Sequence, residues 1–249
     1  MWLICLLERK IMFDILYEDN HIIVVVKKPG ILSQSDISGD IDMLTMVKNY
    51  IKEKYNKPGN VYTGLVHRLD RNVGGTMIFA KTSKGASRLS EQMRNKTFYK
   101  GYFALCHGVP SEKSGLLVNY LKKNEKTNTV YEDKSGSICQ LEYTLVNSYT
   151  KNNGTFSLVY CVPITGRTHQ IRAQMALMGH PLLGDTKYGK STDKNQDKTI
   201  GLWSSIIRIK HPTKDDVMTF KSVPDCITPW NILHKNISSD CVAFIEKMY

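Results

Sequence analysis

The segment Leu65–Lys81, LVHRLDRNVGGTMIFAK, constrains this chain more than any other. Gly74-Gly75 stands immediately before the apolar run Thr76–Ala80, so a charged loop must turn tightly into a buried strand. Asp70 lies in that loop between Arg68 and Arg71, after His67. The two guanidinium neighbours favour an ionised carboxylate. The pattern fits a surface ion pair at the mouth of a strand as well as a carboxylate held for chemistry, and the segment alone does not choose.

The flanking sequence predicts the frame around it. His21–Lys28 is a continuous apolar run ended by Pro29-Gly30, as in a buried strand, and Leu44, Val47 and Ile51 mark one face of a short helix. Ser83 is the expected N-cap of a helix running to about Asn95, with Ala86, Leu89 and Met93 inward. Tyr99–His107 then returns as a strand. Leu141, Tyr143 and Leu145 alternate with polar residues, Asn153-Gly154 supplies a type I′ turn, and Phe156–Val162 completes the antiparallel pair. Thr165–Met178 forms a turn and a helix with Ile171, Met175 and Met178 on one face, stopped by Gly179-His180-Pro181. Strands and helices mix without βαβ alternation. The expected class is therefore α+β, a mixed, largely antiparallel sheet flanked by helices and loops. No linker divides the chain, so the expected organisation is an extension over residues 1–11 and one catalytic domain over 12–249.

Charge ranks the partners. With 34 Lys+Arg against 23 Asp+Glu the chain carries +11, which suits RNA, DNA or an anionic membrane surface, although solvated lysines explain it too. The start, MWLICLLERK, has a short apolar run followed by Glu8 and Arg9. It is too short to cross a membrane and a poor signal peptide, so the expected location is cytoplasmic, without a membrane. Six cysteines form no CxxC pair, which points to reduced thiols rather than a zinc ribbon, and His21, His107 and His234 lack ligand spacing, so no metal is expected. Gly184 to Ser191 formally satisfies the phosphate-loop pattern GxxxxGK[ST]. That loop needs a strand before it and an apolar helix after it, and the polar stretch Thr192–Lys198 denies the helix.

A second basic cluster, Gly166-Arg167-Thr168-His169-Gln170-Ile171-Arg172, opens the later helix, where backbone N–H groups favour an anion. It could hold a phosphate or the Asp70 carboxylate. Taken in order, His67-Arg68-Leu69-Asp70, Gly75, Phe79-Ala80-Lys81-Thr82, Lys100-Gly101-Tyr102, this cluster and Gly179-His180-Pro181-Leu182-Leu183-Gly184-Asp185 resemble the RluA-type RNA pseudouridine synthases. Tyr17-Glu18-Asp19 through Lys28-Pro29-Gly30 resembles the family's first motif, and His211-Pro212 near Phe220 its C-terminal strands. The likeness is to members without an N-terminal S4 module, so recognition is expected to rest on the basic surface of the catalytic domain.

The resemblance implies roles. Asp70 would be the catalytic aspartate, Tyr102 would stack on the uracil and help remove the C5 proton, and Arg167 would pair with Asp70. Arg68 would fill the space left by the flipped nucleotide. Arg71, His169 and Arg172 would join Arg68 in binding RNA. Making pseudouridine breaks the N1–C1′ bond, rotates the uracil and joins C5 to C1′. Nothing is oxidised, so no cofactor is expected. A carboxylate can attack C1′ or C6 or accept a proton from C2′, and the sequence leaves these routes open. The implied substrate is structured ribosomal or transfer RNA, acted on by a monomer and read through loops such as Lys54–Asn60 and Lys190–Lys198. The alternative is an RNA-binding module of the same fold without catalysis. One departure stands out: Asn72-Val73-Gly74-Gly75 replaces the family's usual Asp-Thr-Ser-Gly and removes two hydroxyls.

Overall fold

The run from Ile22 to Lys27 is buried along its whole length because it lies inside a sheet with helices against both faces. A computed structural model describes residues 13–152, 154–189, 199–231 and 237–248. Among them are strands β1 (Asp14–Glu18), β2 (Ile22–Lys27), β3 (Gly64–Leu65), β4 (Gly74–Ala80), β5 (Tyr99–His107), β6 (Ser114–Asn124), β7 (Thr129–Glu132), β8 (Ser137–Lys151), β9 (Gly154–Pro163), β10 (Leu202–Lys210) and β11 (Val217–Lys221). They form one sheet in the order β1-β2-β4-β10-β5-β9-β8-β6-β7, with β3 on β4 and β11 on β10. The β4–β10 pair is parallel and the other strand pairs are antiparallel, which is the α+β arrangement the sequence predicts.

The helices are α1 (Met43–Lys54), α2 (Ser83–Arg94), α3 (Gln170–Leu177) and α4 (Ile237–Met248). Alternate residues of β2 and β4 divide between two cores. Ile23, Val25, Met77 and Phe79 pack with Met43, Val47 and Ile51 of α1. Ile22, Val24, Ile78 and Ala80 pack with Leu89 of α2. A third core places Cys241 and Ile245 of α4 against Phe103, Leu158 and Trp203.

One boundary differs from expectation for a local reason, and the turn and helix expected over Thr165–Met178 divide at Gln170. Thr82, not Ser83, caps α2: its backbone is extended and its hydroxyl accepts from Gly85 N at 3.0 Å. The helix after the second basic cluster starts at Gln170, because Gln170 Oε1 folds back to accept from Arg167 N (3.1 Å) and the Thr165 hydroxyl (2.8 Å), and so holds 165–169 as a loop. Its stop is as expected: Gly179 has φ +89°, and the N–H of His180 reaches Met175 O at 2.9 Å. The Asn153-Gly154 turn involves Asn153, which lies outside the described residues, as do the 1–11 extension and the loop Lys190–Lys198.

The join of β10 to its neighbours sets the site. Ser204 is the register partner of Gly75 on one side and of Tyr102 on the other. Gly75 has φ +120°, and a Cβ there would collide with the Ser204 backbone. A Cβ at Gly74 would strike the Trp203 indole, so the missing serine of the family pattern has a cause: the indole occupies its space. Val73, in place of the usual threonine, is buried in the core.

Glu18 ties the far edge together. Its carboxylate accepts from Lys54 Nζ (2.6 Å), Lys81 Nζ (2.6 Å), Tyr50 (2.9 Å) and Tyr55 (2.9 Å). Burial alone would raise its pKa, but these donors outweigh burial and hold it at about 2. A carboxylate depressed in the fold adds stability above its unfolded pKa and loses it as pH falls through the folded one. The stability difference between wild type and Glu18→Gln should therefore be full at pH 6 and shrink from about pH 4.5 to about 2, read by urea melts. Gly75→Ala should cost at least about 2 kcal/mol in the same assay at pH 7, from backbone strain and the lost Ser204 contact.

Candidate active site

The loop before β4 is fixed from below. Ser33 Oγ donates to Leu69 O (2.7 Å) and accepts from Leu69 N (3.0 Å). Lys27, fully buried, donates through Nζ to the carbonyls of Ile31 (2.7 Å), Arg71 (2.9 Å) and Lys28 (3.1 Å). Burial lowers its pKa to about 7, against the pull of the Asp70 charge. His67 accepts from Ile78 N through Nε2 (3.1 Å). Burial, with the Lys100 charge, lowers its pKa to about 3, so the ring is neutral and serves to position the backbone.

Held this way, Asp70 faces a cleft of about 910 Å³ with its side chain 31% exposed. The cleft continues into a side pocket of about 110 Å³ between Asp70, Tyr102, Pro163, Ile171 and Leu202. Tyr102 forms part of its wall and is 7% exposed. Burial raises the pKa of its hydroxyl, a hydrogen bond with Ser204 opposes this, and the Asp70 charge adds to it. The result is a neutral phenol on the pocket wall and not a resting phenolate base.

Arg172 of α3 is the cation on Asp70. Its Nη1 lies 2.7 Å from Asp70 Oδ2, while Nε and Nη2 donate to the two oxygens of Asp185 at 2.7 and 2.8 Å. Asp185 is fully buried and also accepts from Lys187 N (3.0 Å) and Tyr188 N (3.2 Å). The Tyr188 ring lies 5.2 Å from the Arg172 guanidinium. Its hydroxyl accepts from Val130 N (2.7 Å) and is 2.9 Å from His169 Nδ1. His169 Nε2 is 3.7 Å from Asp70 Oδ2. Burial lowers the His169 pKa against the Asp70 charge. A neutral ring accepting the Tyr188 proton at Nδ1 carries its own N–H at Nε2, towards Asp70.

These contacts correct two expectations. Arg167 does not pair with Asp70; it is exposed at the cleft in the loop before α3, and Arg172, expected on the RNA, takes that partner because it lies on the buried side of α3. His169 likewise turns to Asp70 and Tyr188, with its side chain 7% exposed. Arg71 lines the cleft but is held by Asp40 (2.7 Å) and Gly30 O (3.0 Å). Arg68 is exposed to the cleft and has no ion pair among the described residues. Residues 54–60 do not line it. The phosphate-loop pattern fails on chemistry: the N–H groups of Lys187 and Tyr188, which would cradle a phosphate, are taken by the Asp185 carboxylate. Asp185 and Lys27 are site residues to which the sequence alone assigns no role, and Tyr188, which the sequence offers as a phosphate contact or a solvated loop residue, instead packs on Arg172 and His169. The signal for Asp185 is an acid after the apolar Pro181-Leu182-Leu183, and for Lys27 a lysine ending an apolar strand.

A family model described as RNA pseudouridylate synthase matches residues 21–177, which carry Asp70, Tyr102 and Arg172. The chain belongs to the RNA pseudouridylate synthase family. It is 33% identical over 216 residues to the dual-specificity RNA pseudouridine synthase RluA of Escherichia coli K12, covering 85% of this chain and 93% of that protein. It is 38% identical over 180 residues to the ribosomal large subunit pseudouridine synthase C of Buchnera aphidicola, covering 70% of this chain and 53% of that protein, so it spans about half the length of that relative. The solved human RNA pseudouridylate synthase domain containing 1 superposes with a TM-score of 0.70 at 21% identity, covering 87% of this chain and 85% of that one, a likeness of fold. Among the described residues no helix is long and apolar enough to cross a membrane.

The synthase fold gives its two arginines separable effects. Arg172→Gln leaves Asp185 buried without its cation and should lower stability by about 3 kcal/mol or more, with loss of activity. Arg167→Gln should melt as wild type and weaken RNA affinity, with a flatter salt dependence in a filter-binding titration.

Proposed function

We propose that this chain isomerises uridine to pseudouridine in structured ribosomal or transfer RNA, with Asp70 as the catalytic residue. The observation that carries the reading is the Asp70 carboxylate open to a side pocket of the cleft, gripped by Arg172 and flanked by Tyr102. The flipped uracil lies against the Tyr102 ring, and Asp70 acts at C1′, C6 or the C2′ proton. The N1–C1′ bond breaks, the base turns, C5 joins C1′, any bond to Asp70 is released, the C5 proton leaves and N1 gains one. His169 and Arg172 orient the carboxylate. Arg68 moves into the space left by the base, and Arg167 meets the RNA backbone at the rim.

The relative named for the ribosomal large subunit supports a ribosomal RNA target, and the dual-specificity relative supports an RNA target. The enzyme acts as a cytoplasmic monomer. An inactive binding module would not need Asp70, Tyr102 and Arg172 together in one pocket.

Mapping pseudouridines in total RNA from cells with and without this protein should reveal at least one site that depends on it. Asp70→Asn should fail to restore that site while still binding the same RNA. Restoration by Asp70→Asn would refute the role of Asp70, and an unchanged map on deletion would favour the inactive module.

A further inference from the structure

Two lysines of this protein are withdrawn from solvent near Asp70, and they differ in one respect. Lys27 has three carbonyl partners for its ammonium. Lys100, on β5, has neither a hydrogen bond nor an ion pair among the described residues, although burial lowers its pKa. It lines both the cleft and the side pocket, beside Arg68 and Arg167. Opposite its amine stands Gly166, which has no side chain to cover it; a Cβ there would come only to 3.6 Å. A desolvated cation without a partner costs stability, so a binding site that keeps one exposes it to an anion supplied from outside.

We propose that Lys100 binds a backbone phosphate of the target nucleotide, an assignment that rests on the uridine isomerase reading above. Lys100 and Tyr102 are two positions apart on one strand, so they share a face of the sheet, and both line the side pocket. A uracil stacked on Tyr102 therefore brings its phosphate to Lys100, between the exposed guanidinium groups of Arg68 and Arg167. Uracil carbonyls are the weaker alternative, because a phosphate brings the full counter-charge that Lys100 lacks.

The test uses a synthetic stem–loop RNA with the mapped uridine in its loop, titrated by fluorescence anisotropy from low to high salt. Lys100→Met should weaken binding about tenfold at low salt and flatten the slope of log K against log salt by about 0.7–0.9, with Lys100→Arg restoring most of it. Methylphosphonate at the phosphates flanking the uridine should weaken wild type by a similar factor and Lys100→Met no further. Free Lys100→Met should melt at or above wild type, because an unpaired desolvated ammonium is removed; a purely structural lysine would give a lower melt instead. An unchanged slope, or an equal methylphosphonate effect in both proteins, would overturn the assignment. Pseudouridine formation on the same RNA separates the two readings. Wild-type product with an unchanged slope sinks Lys100 alone, whereas a Lys100-dependent slope without product sinks the isomerase reading.

Discussion

The site depends on one guanidinium shared by two carboxylates. Arg172 has three of its nitrogens in use, two on Asp185 and one on Asp70. The buried fork to Asp185 fixes the plane of the guanidinium, and that plane decides where Asp70 can place its oxygens. Asp185 is itself fixed by backbone N–H groups of the turn after it. Thus the chain brings the first basic motif, the later helix and the Gly184-Asp185 turn to one point. A lysine at 172 would keep the charge and lose the fork.

The sheet supplies the other half of the alignment. Ser204 of β10 is paired with Gly75, just beyond the Asp70 loop, and with Tyr102, so the carboxylate and the aromatic ring are set by one register. The parallel β4–β10 pair is what allows this, since it inserts a late strand between two early ones. Gly74 and Trp203 show how closely the parts depend on each other: a residue pair far apart in sequence shares a space that only one side chain can fill.

Much of the frame was legible in the sequence because it is local. The buried runs of β2 and β4, the extent of β5 and the Gly179 stop follow from periodicity and turn chemistry. The resemblance picked out Asp70, Tyr102 and the basic cluster. It could not assign partners within the cluster, because whether Arg167 or Arg172 faces inward depends on where α3 begins, and the Gln170 side chain sets that start. The β6–β7 hairpin was equally hidden: Leu116, Val118 and Tyr120 are exposed while Leu121 is buried, so the alternation does not mark a core. Lys27 and Lys100 look alike as sequence, and only the carbonyls around one and their lack around the other tell them apart.

The shared guanidinium also has an electrostatic result. At the floor of the pocket Asp70 and Asp185 present their carboxylates to one guanidinium, beside the neutral Tyr102 phenol. The cleft above carries the exposed Arg68 and Arg167. A nucleotide meeting these two layers is sorted by its own polarity: the phosphate finds cations at the mouth, while the uncharged base finds a carboxylate and an aromatic ring below. The direction of entry is thus written into the charges before any contact with the base is made.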